Sequence, residues 1–437
     1  MKIQIKQGRI IDPQSGFDQV GDLCIAAGKV LAIGETPESF HPNKVIDAKG
    51  LVVCPGLVDL AVRLREPGNE YRATLESELL AACAGGITSL SCPPDTEPPL
   101  DETGLVEMLK FRAKNLNLAK VYPIGALTQK LAGERLTEMA ELRDAGCVGF
   151  SQADAAITDT HVLMRALEYA ATFDMTVWLR PQDACLARGG VAHDGVVAAR
   201  LGLPAIPPTA ETIAVMTALL LVRDTGARVH LCRLSSAAAI DMVRQAKAQG
   251  LPVSCDVSTQ HLHLSEMDIG YFDPNCHLIP PLRSLRDRDA IRLALAEGVI
   301  DALCSDHTPV DDDTKQLPFG ETEPGAAGVE LLLPLNLKWA EEQALTLVEA
   351  LAPITCGPAR VLGLDVGRIA LGLAADICVF DPDAWWRIES GALKSLGKNS
   401  PFMGYEVRGK VRYTLVDGQL VFEQSEVSTP AYNTHKS

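Results

Sequence analysis

Between residue 50 and about residue 310 the chain alternates apolar, β-branched runs with segments of helical spacing, and it does so eight times. The strand-like runs are LVVCPGLVDLAV, ITSLSC, AKVYPIGAL, CVGFS, TVWLR, ARVHLCRLS, LPVSCDVS and IDALCSD. The segments between them place apolar residues at i, i+3 and i+4, as in ETIAVMTALLLVRDTGA and AAIDMVRQAKAQG. TLESELLAACAGG starts on Thr74 as a candidate N-cap, carries Glu76 and Glu78 in its first turn and stops on Gly85-Gly86. Ser77 stands where a full capping box would want Glu or Gln, so the start signal is partial. Strands that alternate with helices form parallel sheets. Eight units predict an α/β fold of the closed (β/α)8 TIM-barrel kind, with a doubly wound open sheet as the alternative.

Strand-like alternation also marks both flanks, KIQIKQGRIID and DLCIAAGKVLAIG at one end and GRIALGLAADICVFD and GYEVRGKVRYTLVDGQLVFE at the other. Chain ends often lie close together, so one small β-sandwich domain built from both termini is the economical arrangement. The expected division is residues 1–50 with 366–425 as the composite β domain, 51–365 as the barrel, and 426–437 as a loose tail. Charged residues make up 22% and hydrophobic ones 47%, which suits a packed globular chain. The net charge of −16 disfavours nucleic acid or an anionic membrane surface as partner. The twelve cysteines are scattered through apolar strands without a CxxC pair, and read as free thiols in a reducing compartment. MKIQIKQGRIID has no signal-peptide core and no apolar run approaches a membrane span, so a cytoplasmic location is expected.

In a barrel of this kind the chemistry sits at the C-terminal ends of the strands. Those ends carry Ala61, Arg63 and Arg65 after the first strand and Asp95 after the second. Ser151 and Gln152 follow the fourth, Arg180 to Asp183 the fifth, and Arg233 the sixth. The eighth ends in Asp306 and His307.

The ordered stretches DLAVRLREPG, CPPDTEPPLD, GLPVSCDVS, PPLRS, IDALCSDHTP and GKNSPFMGYEVRGKV resemble the dihydroorotase family of cyclic amidohydrolases. The likeness runs over essentially the whole chain, including GRIIDPQSG and GLAADICVFDPDAWW in the flanks. It implies a barrel of the amidohydrolase type and a divalent zinc centre that activates water for attack on a cyclic amide. The reaction implied interconverts dihydroorotate and carbamoyl-aspartate.

Carried over position by position, the family's metal pattern meets substitutions here. Its His-x-His falls on Ala61 and Arg63, its bridging carboxylate on Gln152, and its two later histidines on Arg180 and Arg233. The last aspartate remains as Asp306. Zinc needs a lone pair from imidazole, thiolate or carboxylate, and a guanidinium offers five donors and no acceptor. Hence no metal, no cofactor and no catalytic residue are expected, with Asp306 a vestige. Of the family's substrate-carboxylate contacts, Arg65 remains as a vestigial binder. Two asparagines are replaced by Asp95 and Ile279.

His261-Leu262-His263 offers an isolated H-x-H without further ligands, while His230 and His307 read as hydrogen-bonded structural residues. Arg63, Arg180 and Arg233 have two readings. The favoured one has them fill space and neutralise Asp306 together with neighbours such as Asp183; the other makes them an anion site. The acidic loop around residues 310–325 reads as a disordered lid or a protein contact. The resemblance leads to the expectation of a protein that is not an enzyme. It would be a dihydroorotase-like assembly partner of the aspartate carbamoyltransferase catalytic chain in pyrimidine biosynthesis, itself a homodimer. The alternatives are an active dihydroorotase or related cyclic amidohydrolase with an atypical metal site, and an anion-sensing module.

Overall fold

The computed structural model describes residues 1–424. Eight parallel strands follow one another in sequence order: Leu57–Asp59, Ile87–Cys92, Lys120–Ala126, Gly149–Ser151, Thr176–Leu179, Arg228–Leu231, Val253–Ser258 and Ala302–Cys304. A parallel bridge between Val62 and His307 joins the first unit to the last. There Arg63 N donates to His307 O at 2.9 Å and His307 N to Ala61 O at 2.9 Å. The (β/α)8 barrel of the sequence reading is therefore the fold, and the open sheet is not.

The run LVVCPGLVDLAV reads as one strand but is divided in the structure. Val52–Pro55 pairs with the terminal sheet and Leu57–Asp59 starts the barrel. Gly56 stands at the division, where an added Cβ would lie 2.1 Å from Thr88 Oγ1. No residue with a side chain fits so close an approach.

Helix starts follow the local chemistry. Thr74 accepts from Ser77 N, and Ser77 Oγ accepts from Thr74 N, so serine completes the capping box that the sequence showed only in part. Ser236, Ser258 and Ser284 cap the helices that open at Ala237, Thr259 and Leu285. The core between barrel and helices is aliphatic, with Leu57, Leu79, Leu90, Val177, Val229, Leu231 and Leu303 almost wholly buried. Near-continuous apolar strands are what a sheet covered on both faces requires.

Both termini build one further sheet, ordered from Gln419–Glu423 through Glu406–Val416, Ile377–Arg387, Val52–Pro55, Lys2–Asp12 and Phe17–Ala26 to Lys29–Gly34. Lys44–Asp47 adds beside Lys2–Asp12. Ile3, Ile5, Leu23, Ile25, Val53, Ile377, Val379 and Leu415 make its own core. Lys120 ties it to the barrel through Asp376 and Asp417, each at 2.8 Å. The tail expected over residues 426–437 lies outside the described residues. No described helix is long and apolar enough to cross a membrane.

The loop after the eighth strand is built rather than loose. It forms 3-10 turns at Asp312–Gln316 and Phe319–Glu321, buries Phe319, and anchors Lys315 Nζ on Pro274 O at 3.0 Å. Of the two readings left open for this loop, the disordered lid does not agree with these contacts.

Candidate functional site

The strand ends converge on a cluster of three arginines and three aspartates. Arg63 follows directly on the seam between first and eighth units. Its Nε donates to Asp95 at 2.8 Å, Nη2 to Asp154 at 2.7 Å, and Nη1 to Thr308 Oγ1 at 2.9 Å, with Asp306 3.5 Å away. Arg233 reaches Asp154 at 2.6 Å and Asp306 at 3.0 Å. Arg180 donates to Gln182 Oε1 at 2.6 Å and to the Asp154 carbonyl at 2.9 Å, and its Nε lies 2.6 Å from Asp154 Oδ1. Two members sit in the left-handed backbone region, Arg233 at φ 53 and Asp306 at φ 47. Non-glycine residues occur there rarely, and mostly where surrounding structure holds them.

Burial opposes the charges on Asp154, Asp306 and the three arginines, and the balance against their partners differs from group to group. Burial would raise the Asp154 carboxyl, yet Arg233, Arg63 and Arg180 hold it far below the usual carboxylate range. Burial would lower Arg63 and Arg233, but the facing aspartates outweigh it and raise both. For Arg180 burial wins, against Asp154, and its pKa falls. Asp306 is raised by burial despite Arg233 and Arg63.

All the expected rim residues except Asp183 are brought together or lie close by. Asp183 caps the amides of Cys185 and Leu186 at 3.0 and 2.8 Å and takes no part in neutralising Asp306. The carboxylate that meets all three arginines, Asp154, went unnoticed in the sequence, two residues past Gln152 in GFSQAD. Gln152 accepts from Thr128 Oγ1 at 2.9 Å, and its buried Nε2 has no partner among the described residues. Arg65 donates to Pro309 O at 2.8 Å and lies 3.9 Å from Glu323, which also pairs with Arg72. Ile279 offers the cluster only its carbonyl, 3.4 Å from Arg233.

The histidines fall apart as a set. His261 is bonded to Ser258 and Pro281 O, and His263 to Leu335 O. Burial lowers both to about 4, so both rings are neutral near pH 7. His307 accepts the amides of Gly328 and Val329 at Nδ1 and donates from Nε2 to Glu78 at 2.6 Å. His230 joins Ser254 and Asp256, each at 2.8 Å, and packs on Trp178.

A dinuclear zinc centre at the six implied positions does not fit the residues present. Arg63, Arg180 and Arg233 supply donors only, and Ala61 has no ligand atom. One other group offers metal-ligand types among the described residues. His230, Cys232 and Asp256 have one candidate atom each within 4.8 Å of one another. It lies beside a cavity of about 30 Å³ that Cys232 and Asp256 line together with the three arginines. Burial and Asp256 push the Cys232 thiol well up, so a metal would have to displace its proton.

A closed barrel with charged strand ends, joined to a sheet made from both termini, defines the chain as an amidohydrolase-type barrel protein. Comparison with known proteins carries this further. The family model described as dihydro-orotase-like matches residues 50–239, and the amidohydrolase family model matches residues 197–422. A dihydroorotase-like protein of Pseudomonas aeruginosa is 49% identical over 97% of this chain and 100% of its own length. A dihydroorotase of Geobacter sp. (strain M21) is 40% identical over 97% of this chain and 100% of its own. Among solved structures, L-hydantoinase (dihydropyrimidinase) from Arthrobacter aurescens superposes with TM-score 0.87 at 25% identity, covering 98% of this chain and 97% of that one. The chain belongs to the dihydroorotase-like family of amidohydrolases.

These findings correct the expectation that the chain is not an enzyme. Relatives matched end to end carry the name dihydroorotase, the similar fold belongs to a hydantoinase, and a buried group of metal-ligand types lies next to the barrel mouth.

Proposed function

We propose that this chain works in pyrimidine biosynthesis as a dihydroorotase-type cyclic amidohydrolase with an atypical centre, assembled as a homodimer with the catalytic chain of aspartate carbamoyltransferase. The observation that supports it is the group His230, Cys232 and Asp256 beneath a mouth lined by arginines, in a chain that matches dihydroorotases over 97% of its length. Imidazole, thiolate and carboxylate are the ligands that zinc prefers. A divalent ion held there would supply Lewis-acid polarisation of a cyclic amide. The protein's own part is electrostatic. Arg63, Arg180 and Arg233 supply guanidinium donors that would orient a carboxylate on the ring or on its opened product. Trp178 and Ile124 add apolar lining to the same cavity.

The test has two arms. Purified chain, with and without added zinc, is assayed for ring opening of dihydroorotate and of hydantoin, beside a Cys232→Ser variant. Turnover that needs the metal and falls at least tenfold in C232S is expected; no turnover with either substrate, alone or with the carbamoyltransferase, overturns the catalytic reading. Co-expression with the carbamoyltransferase of the same organism, followed by sizing, tests the assembly. A transcarbamoylase that elutes and works identically without this chain overturns it.

A further inference from the structure

Asp154 is held by more positive charge than any other carboxylate in the mouth, and it is also the one least built in. Its side chain is 35% exposed, against 8% for Arg63, 7% for Arg180, 7% for Arg233 and 11% for Asp306. It rides on a turn after the fourth strand, just past Ala153 at φ 49, whereas the arginines follow strand ends. Each arginine has other partners that hold it in place. Arg63 keeps Asp95 and Thr308, Arg233 keeps Asp306 and the Ile279 carbonyl, and Arg180 keeps Gln182.

With Asp154 turned out, donors on three different arginines would therefore still point at one spot. One detail shows that Asp154 does not satisfy that spot fully, and a second spare donor lines the cavity beside Arg180. Arg180 Nε lies 2.6 Å from Asp154 Oδ1 yet finds no aligned acceptor, and the buried Gln152 Nε2 has no partner among the described residues. Gln152, Arg180 and Gln182 line a cavity of about 70 Å³, the three arginines line the cavity of about 30 Å³, and Ala153 borders both. Spare donors, a preformed fork of guanidinium groups and adjoining space are what a planar or tetrahedral oxyanion needs.

We propose that Arg63, Arg180 and Arg233 form a binding site for a small oxyanion, a carboxylate or phosphate group, and that Asp154 is a tethered stand-in for that ligand. A free anion takes the place of the Asp154 oxygens, and the turn at 152–157 moves outward. A tethered competitor acts at an effective concentration in the millimolar range, so binding to the native chain is weak and removal of the tether tightens it.

The experiment compares the native chain with Asp154→Ala by calorimetry and thermal unfolding. Malonate and inorganic phosphate are the probes, with chloride at matched ionic strength as control. Saturable binding at least tenfold tighter in D154A is expected, and it should vanish when Arg180→Gln is added. The malonate and phosphate arms separate a carboxylate ligand from a phosphoryl one. Should D154A fail to fold in anion-free buffer, refolding restored by malonate or phosphate but not by chloride supports the site. Asp154→Asn, which keeps the shape, then serves for titration. No preference over chloride in any of these chains overturns the proposal. Binding is read without turnover, so this result and the ring-opening result stand or fall separately.

Discussion

Arg233 donates to Asp154 across 2.6 Å and to Asp306 across 3.0 Å, so one guanidinium bridges two carboxylates that belong to different barrel units. Removing it leaves Asp306, almost wholly buried, with Arg63 3.5 Å away as its remaining cation. Breaking a buried pair from one side typically costs about 3–5 kcal/mol. Arg233→Met is expected to lose stability on this scale in urea unfolding; a loss below about 1 kcal/mol would mean that solvent screens the cluster as it does a surface pair.

Restoring the inherited histidine pair alone should not restore the inherited metal. Ala61→His with Arg63→His is expected to gain no zinc per chain over the native protein, because Arg180 and Arg233 still present cations and no lone pairs. Replacing those two with histidine as well should add bound zinc. Elemental analysis after dialysis reads the difference.

Asp59 gives the pH dependence its first sign. Burial raises its carboxyl to about 6 from 3.8, against the amides of Ser305 and Ala61, and its Oδ2 has no partner among the described residues. The folded state thus holds this proton more tightly than the unfolded one. Its contribution is fully present below about pH 4 and is lost as pH rises through about 6, on the order of 3 kcal/mol at most. Asp59→Asn should flatten that limb of a stability–pH curve; an unchanged slope between pH 4 and 7 would refute the assignment.

Glu78 acts in the opposite sense. Burial would raise it, but His307, Ser395 and Ser77 bring it down to about 2 from 4.5. Its contribution is present above about pH 4.5 and lost as pH falls through about 2. His307→Ala removes its buried partner and is expected to shift acid unfolding to higher pH and to cost about 3–5 kcal/mol near neutrality, read by circular dichroism.

Glu323 clasps the loop after the eighth strand to Arg65 and Arg72. Burial and the neighbouring Arg63 lower Arg65 to about 10, which keeps it charged at neutral pH. Glu323→Gln should speed proteolysis within residues 311–325 several-fold while global stability falls by about 1.5–3 kcal/mol at most, as for a hydrogen bond to a charged, largely buried group. Equal cleavage rates would show that Phe319 and Lys315 hold the loop without the clasp.

The barrel was legible because period and punctuation agree: apolar strands, helices of 3.6-residue spacing, and glycines at the stops. The rim was legible for the same reason, since strand ends mark where side chains point. Asp154 was missed because a turn residue carries no periodic signal, and its place under three guanidinium groups depends on Ala153 adopting φ 49. Asp183 was misplaced for a related reason. Its side chain turns back to cap local amides, a choice that aspartate makes readily in loops. The group His230, Cys232 and Asp256 spans two neighbouring strands, and only register brings its members level.

The seam at Val62 and His307 sets an order of events on the ribosome. Arg63 meets Asp95 within 32 residues, Asp154 after 91, and Asp306 and Thr308 only after 243 and 245. At synthesis rates of about 5–20 residues per second, roughly 10 to 50 s separate the making of this arginine from the arrival of its last partners. For that interval the nascent chain carries an open sheet edge and a half-compensated charge, and whatever binds it then acts before the barrel can shut.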